Sequence, residues 1–389
     1  MFFKRKAVIR RETITDLLKN GEFSLNFLKQ LSPGTENLIF SPVGIHYCLS
    51  LLYSGSSGKI RQELEAVMQM TPETFIQLLD ILKRIDSSAK RSDNEFNLNS
   101  LLAAMIPGGL SDDILDQIKL DPDLEVLEAG KSELENTSER IKEFISTVSQ
   151  DRFHYEPPVH KLREQGGLIL LNSLKFFGKW QTPFDKKYTT LRPFTAGSGA
   201  VTKVPMMNIE KFFGYYEEKN IQILQMPYKG LKLSMIIVLP SKKVGLSQLV
   251  NNLHHARLND WLNRLENRQV DTYIPKFLMT INIDLVDPLK ALGINEIFNP
   301  DTKDLSGLSK QQMPAYVERA WQQSFLEVEE SGTRVVSVTG LELPAFLPMK
   351  KPKKPVRFMA DHPFLFFIME RDSGLILFMG RLDNPATET

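Results

Sequence analysis

Apolar positions in the first third of the chain recur at helical spacing. They do so through "ETITDLLKNGEFSLNFLKQL" (12–31) and again through "SPVGIHYCLSLLYSGSSGKIRQELEAVM" (41–68), which opens on the start signal Ser41 then Pro42. The "GSSG" at 55–58 divides the second piece into two amphipathic helices. "TPETFIQLLDILKRI" (71–85) repeats the pattern, with Thr71 expected as N-cap, Pro72 as the first helical residue and Glu73 in the first turn. From about residue 167 the period changes. "GLILLNSLKFF" (167–177), "YYEEKNIQILQMPY" (215–228), "LKLSMIIVLP" (231–240), "DTYIPKFLMTINIDL" (271–285), "SFLEVEE" (324–330), "FLFFIME" (364–370) and "LILFMGRL" (375–382) are short, β-rich and often apolar on both faces. That pattern belongs to strands inside a large sheet. One helical segment, "DLVDPLKALGI" (284–294), lies among them. Helices first and strands later predict an α+β fold rather than alternating βαβ units. No repeat, low-complexity tract or linker precedes the mixed stretch Glu329–Phe358, so residues 1–389 read as a single domain.

Composition narrows the partners. With 42% hydrophobic residues the chain can fill a sizeable core, and 48 Lys plus Arg nearly cancel 47 Asp plus Glu. No global field selects nucleic acid or an anionic membrane, so neither is expected as a partner. The longest apolar runs fall far short of the roughly 18–20 residues that cross a bilayer. No apolar run follows the basic "MFFKRK" start, so no signal peptide is expected in this chain. Cys48 is the single cysteine, which excludes an internal disulfide framework and a cysteine metal cluster; on an apolar helix face it reads as core.

Enzyme motifs are missing. There is no G-x-S-x-G elbow, no phosphate-binding G-x-x-x-x-G-K-[ST] and no G-x-G-x-x-G. His254 and His255 are adjacent, His154 and His160 flank "YEPPV", and neither pair has the spacing of a zinc site. His362, before Pro363, reads as part of a turn feeding a buried strand. Glu329 and Glu330, adjacent on a strand, point to opposite faces and cannot converge on one atom. No catalytic residue, metal site or resident cofactor is expected.

Several motifs in order do carry a resemblance: "NLIFSPVGIHYCLSLLYSGSSG", "LLNSLKFFGKWQTPF", "VPMM", "QMPYKG", "IPKF", "ALGINEIF", "DLSGL", "FLEVEESGT" and "FMADHPFLFFI" followed by "LFMGR". Together, from about residue 20 to 385, they resemble the serpin family. The resemblance implies one domain of three β-sheets, the large central sheet among them, about nine helices and an exposed reactive-centre loop at about 330–357. It implies no enzyme but an inhibitor whose loop is cut by a protease and then enters the large sheet as a new strand, a release of stored strain. A monomer is expected, with a target protease as partner. By resemblance, Trp180 and Phe184 stand at the top of the large sheet where insertion begins, and Ser41 and Asn172 form the polar pair that governs its opening. Gln322 occupies the place of the family's histidine partner. An amide donates and accepts but does not titrate, so such a network has no pH sensitivity.

By the same resemblance the hinge is Glu330, Gly332, Thr333, Arg334, Val335 and Val336, where the family usually has small residues. As a strand, Thr333, Val335, Ser337, Thr339, Leu341 and Leu343 would share one face, and Arg334, Val336, Val338, Gly340 and Glu342 the other. Both charges fall on the second face. The valines favour a strand but also stiffen the uncut loop, which motivates an alternative reading: a non-inhibitory serpin with a carrier, chaperone or storage role. Counting the family distance from Glu330 puts the cut at Phe346–Leu347; counting back from Phe358 gives Met349 or Lys350. Phe346 suits a chymotrypsin-like protease, the favoured target. Lys350 suits a trypsin-like one, and a papain-like enzyme reading Phe346 would cut after Leu347, where Pro348 interferes.

Lys350, Lys351, Lys353, Lys354 and Arg357 form a basic run that reads either as a solvated extended segment or as an exosite for an acidic protease surface or a sulfated glycosaminoglycan modulator. Family habit and the acceptor Asn136-Thr137-Ser138 point to an extracellular home, with an intracellular one as the alternative.

Overall fold

The computed structural model describes residues 20–31, 36–92, 94–104, 106, 108–121, 124–128, 134–149, 167–230, 232–332 and 354–386. Its elements run in the order α1 (Asn20–Gln30), β1 (Leu38–Phe40), α2 (Pro42–Ser54), α3 (Gly58–Met68), α4 (Thr74–Arg91), β2 (Glu95–Ala104), α5 (Asp112–Ile118), β3 (Leu124–Glu128), α6 (Leu134–Ser149) and β4 (Gly167–Phe177). Then come β5 (Thr190–Thr195), β6 (Val201–Glu218), β7 (Ile221–Pro227), β8 (Leu233–Pro240), α7 (Gly245–Asn252), α8 (His255–Asn263), β9 (Glu266–Pro275), β10 (Phe277–Asp284), α9 (Val286–Ala291), β11 (Tyr316–Val328), β12 (Val356–Met359), β13 (Phe364–Glu370) and β14 (Ile376–Leu382).

Helix α2 is the central post. Pro42 to Tyr53 are all buried, as befits a helix apolar on every side. Ser41 caps it by accepting from Gly44 N–H, and at the far end the Gly55 N–H is donated to the carbonyls of Leu52 and Tyr53. The two helices expected around "GSSG" are α2 and α3. Helix α4 begins later than expected. Thr71 is not its N-cap: the Thr71 N–H is donated to the Thr74 hydroxyl at 2.8 Å and the Thr74 N–H to the Thr71 carbonyl at 3.0 Å. This closes a turn over Thr71–Thr74, so Pro72 and Glu73 precede the first helical residue.

Strands β10-β11-β4-β2-β3 form a five-stranded sheet, and β1-β14-β13-β8-β7-β6-β9-β12 with β5 on β6 form a nine-stranded one. The expected three sheets are joined into two because β6, 18 residues long, pairs with β5 and then β9 along one stretch and with β7 along the other. Strands β8, β13 and β14 are buried at every position, as their unbroken apolar runs predict. Nine α-helices are present among the described residues.

One junction of the five-stranded sheet differs from its neighbours. β10 and β4 flank β11, but β10–β11 is antiparallel whereas β11–β4 is parallel. The parallel register runs from Tyr316 beside Gly167 to Phe325 beside Lys175, with one irregularity between Val317 and Arg319. Parallel ladders are slightly the weaker kind.

Candidate functional site

The parallel β4–β11 seam is fastened at its middle by side chains. Gln322 on β11 and Asn172 on β4 are register partners, both fully buried, and the Gln322 Nε2–H is donated to Asn172 Oδ1 at 3.0 Å. The same Nε2 donates to the Ser41 carbonyl at 2.9 Å, while Gln322 Oε1 accepts from the Ser41 N–H at 2.6 Å. Ser41 is therefore more than a helix cap: its hydroxyl also donates to the Leu377 carbonyl on β14 at 2.6 Å. Asn172 Nδ2 donates to Ser100 Oγ on β2 at 2.9 Å. Four strands and the start of α2 thus meet in one water-excluded network, where each polar group needs its partner because none is replaced by solvent. Cys48 lies beside it, 4.0 Å from Ser100 Oγ, with its thiol pushed up to about 12 by burial. It is core, as its helix face implies.

The top of the seam is closed by a glycine turn. β11 ends at Val328, and Glu329 and Gly332 then exchange both backbone hydrogen bonds, at 2.9 and 3.2 Å, around Glu330 and Ser331. Gly332 also bridges Lys179, just beyond the end of β4, so it sits between the two strands. Its φ is +130°, a region open to glycine. A Cβ there would meet the Gly178 carbonyl oxygen at 2.2 Å and Lys179 Cα at 2.5 Å.

Trp180 and Phe184, the two aromatics of "GKWQTPF", hold this turn. Trp180 Nε1 donates to the Glu329 carbonyl at 2.9 Å, and the Phe184 N–H to the Glu330 carbonyl at 2.8 Å. The indole stacks on Tyr228, ring centroids 4.6 Å apart and nearly parallel. Glu330 is buried and bound at both oxygens, by the Thr189 hydroxyl at 2.8 Å and the Lys276 ammonium at 2.8 Å. Burial pushes the Glu330 carboxyl up, but Lys276 and Thr189 outweigh it and hold the group below the usual carboxylate range. Glu327, by contrast, is raised, first by burial and then by the charge of Glu329.

The other expected site residues divide by position. Thr333, Arg334, Val335, Val336, Phe346, Leu347, Met349, Lys350, Lys351 and Lys353 lie outside the described residues. Lys354 is exposed, and Arg357 is exposed on β12 with its guanidinium 5.2 Å from the Tyr273 ring centroid. His362 is structural, joining Asp361 Oδ1 at 2.7 Å to the Pro240 carbonyl at 2.6 Å. His254 caps α8, and half-buried His255 meets Asn259 Nδ2 at 2.8 Å. Among the described residues no three His, Cys, Asp or Glu side chains converge as a metal site.

Lys276, Thr189 and Tyr228 escaped the sequence reading as site residues. Two of them were in view, in "IPKF" and "QMPYKG", but nothing in those strings shows that they close on a turn far along the chain.

Comparison with known proteins gives one consistent result. The family model described as Serpin (serine protease inhibitor) matches residues 18–385. Human Serpin I2 is 28% identical over 380 residues, 95% of this chain and 92% of that protein. An uncharacterised serpin-like protein of Thermococcus kodakarensis is 30% identical over 384 residues, 95% of this chain and 88% of that one. The crystal structure of native protease nexin-1 with heparin superposes with a TM-score of 0.82 at 22% identity, covering 96% of this chain and 100% of that one.

Proposed function

The chain belongs to the serpin family, whose members are mostly protease inhibitors, and from that premise we propose that it traps a serine protease by cleavage of the segment after Gly332 and insertion of that segment into the β4–β11 seam. The observation that carries this reading is the seam itself. It is the one parallel junction beside β11, it is fastened across its middle by the Gln322–Asn172 side-chain bond, and it is topped by a glycine turn already seated between its strands.

The chemistry is the target's. Its serine Oγ attacks the Phe346 carbonyl carbon, the bond to the Leu347 nitrogen breaks, the amine leaves with a proton, and an ester joins Phe346 to the protease. Residues 333–346 are then free at one end and enter the seam as an antiparallel strand, exchanging one parallel ladder for two antiparallel ones. The protease travels with the ester and is distorted before water releases it. Phe346 selects a chymotrypsin-like target; Met349 or Lys350 would move the cut toward a trypsin-like one, and a papain-like enzyme would form a thioester after Leu347. Basic residues from Lys350 to Arg357 supply an exosite for acidic protease surface or a sulfated glycosaminoglycan, outside the cell in keeping with Asn136 as glycan acceptor. Binding through that run weakens steeply as salt rises; a salt-independent affinity would remove the exosite.

The test is incubation with chymotrypsin-like, trypsin-like and papain-like proteases, followed by denaturing gels and melting of the cleaved product. A covalent complex, with a gain in melting temperature on cleavage, supports the proposal. Plain cleavage with active protease and unchanged melting favours the non-inhibitory role that the three valines suggest.

A further inference from the structure

Strands β6, β7 and β8 are neighbours in the nine-stranded sheet, and at one end of them, facing residues of β12, lies an open cavity of about 460 Å³. That is within the roughly 300–1,000 Å³ that small-molecule sites occupy. One wall is the β6–β7 hairpin, where Glu217 pairs with Gln222 and Glu218 with Ile221, and Leu239 and Pro240 continue those rungs on β8. Arg357 and Met359 of β12, with His362 beyond them, form the other. The walls are strands and turns alone.

Hydrogen bonds tie the two walls together. Gln222 Nε2 donates to the Arg357 carbonyl at 3.2 Å, and His362 Nε2 to the Pro240 carbonyl at 2.6 Å. The Ser241 N–H closes the hairpin end by donating to the Asn220 carbonyl at 2.7 Å. The cavity is thus formed before any ligand arrives, and binding need not first order its walls.

The charges around it do not cancel. Glu218 pairs with Arg257 at 2.8 Å, and Asp361 lies between Lys242 at 2.9 Å and His362 at 2.7 Å. Glu217 accepts from the Tyr215 hydroxyl at 2.6 Å, a neutral partner that does not offset its charge. Lys219 and Arg357, both exposed, form no ion pair with a carboxylate among the described residues. Two cations therefore stand against one carboxylate, and one positive charge is in excess.

Arg357 is the better prepared of the two cations. Its guanidinium lies over the Tyr273 ring, 5.2 Å from the centroid, and Arg192 lies over the same ring at 4.6 Å. A guanidinium held by its face keeps its in-plane N–H groups available, as the fork that fits a carboxylate or sulfonate. The one side-chain acceptor beside it is Met359 Sδ, 3.9 Å from Nη2, and a thioether accepts weakly. Ile221, Leu239, Pro240 and Met359 supply apolar lining.

We propose that this cavity binds a small organic anion with an apolar body. A carboxylate or sulfonate head sits on Arg357 and Lys219, and a ring or chain lies against Ile221, Leu239, Pro240 and Met359. The single excess positive charge suits one anionic group, and Glu217 repels a second. Binding needs neither a cut chain nor a protease, so it stands or falls apart from the insertion proposed above.

The probe is 8-anilinonaphthalene-1-sulfonate, titrated into the intact protein and followed by its fluorescence. Binding should saturate and weaken as salt rises. Arg357→Gln should weaken it at least about tenfold, as loss of a charge-assisted forked contact implies, Lys219→Gln about threefold, and Arg357→Lys should fall between. Lys203→Gln, which removes an exposed cation elsewhere on β6, should change nothing. All three side chains are exposed, so the fold survives, and unchanged urea midpoints check this. An azidonaphthalene sulfonate, photolysed on the protein, should label peptides containing residues 217–222 or 357–362.

The chemistry of the ligand is read by competition. N-phenyl-1-naphthylamine, which lacks the sulfonate, should bind at least about tenfold more weakly. 2-Naphthoate should displace the dye, and inorganic sulfate at the same concentration should not. No saturable binding, equal affinity for the neutral analogue, parent-like affinity in R357Q, or label on other peptides overturns the site. So does displacement by a heparin fragment at lower concentration than by 2-naphthoate, which would mean that charge alone is read.

Discussion

Replacing Gln322 by the family's histidine should give this seam the pH dependence it now lacks. Gln322 is fully buried and serves three hydrogen bonds, accepting one from the Ser41 N–H and donating to the Ser41 carbonyl and to Asn172. A neutral imidazole has one donor and one acceptor, so Gln322→His loses one bond at once, about 1 kcal/mol at neutral pH. The larger effect comes on acidification. His46, equally buried a few residues along α2, shows what this core does to an imidazole: burial lowers it from 6.5 to about 4. A shift of that size, at about 1.4 kcal/mol per unit, is worth about 3 kcal/mol.

Because the folded pKa lies below the unfolded one, the variant keeps its neutral-pH stability above about 6.5 and loses it as pH falls toward about 4, where the unfolded chain binds the extra proton. Protonation also removes the acceptor that the Ser41 N–H uses. The assay is the urea midpoint of Q322H relative to parent protein from pH 8 to pH 4, the parent curve cancelling the resident histidines. A difference that stays flat across that range would refute the placement of Gln322 at the centre of a closed, dry network.

Other perturbations act at the top of the seam and beyond it. Gly332→Ala forces a Cβ onto the Gly178 carbonyl at +130° φ and should cost about 2–4 kcal/mol in denaturant unfolding; a loss under about 0.5 would show that the turn is not held. Lys276→Met leaves the buried Glu330 carboxylate without its counter-charge and should cost about 2 kcal/mol at pH 7, the partial exposure of Lys276 limiting the effect. Since the Glu330 pKa is depressed in the fold, its stabilisation is present above the ordinary carboxylate range and fades as pH falls through it. K276M should therefore match parent protein more closely at pH 3 than at pH 7 in paired urea titrations. Phe346→Arg should cut the rate of complex formation with a chymotrypsin-like protease at least about tenfold and create one with a trypsin-like protease; unchanged preference would move the cut to Met349 or Lys350.

The strands of the second half were plain in the sequence because β8, β13 and β14 are buried on both faces and so read as unbroken apolar runs. Strands β2 and β3 were hidden. They lie between helices, and in β2 the alternation around Asn97 and Asn99 gives way to "LLAA", which helix and strand would share. The onset of α4 was misplaced because the Thr71 N–H is taken by the Thr74 hydroxyl in a turn that delays the helix, a bond that the string of residues does not show. At the seam, Ser41, Asn172 and Gln322 were legible only through family resemblance. Their mutual bonds join residues up to 281 positions apart, a distance over which spacing carries no signal. The clasp on Glu330 is of the same kind: Lys276 and Thr189 are ordinary surface-type residues until the fold delivers them to one buried carboxylate.

Gly332 seated between Glu329 and Lys179 has a kinetic consequence. Making a new strand ordinarily requires a nucleus, the slow closing of a first hydrogen-bonded turn at the expense of chain entropy. In this protein a first turn is already closed, by the Glu329–Gly332 hydrogen bonds and the bridge from Gly332 to Lys179. On the insertion proposed above, a cut after that turn would leave only propagation, one residue after another, like a zipper whose slider is already engaged. Under that proposal the time available to hydrolyse the ester would be set by how fast the seam parts rung by rung.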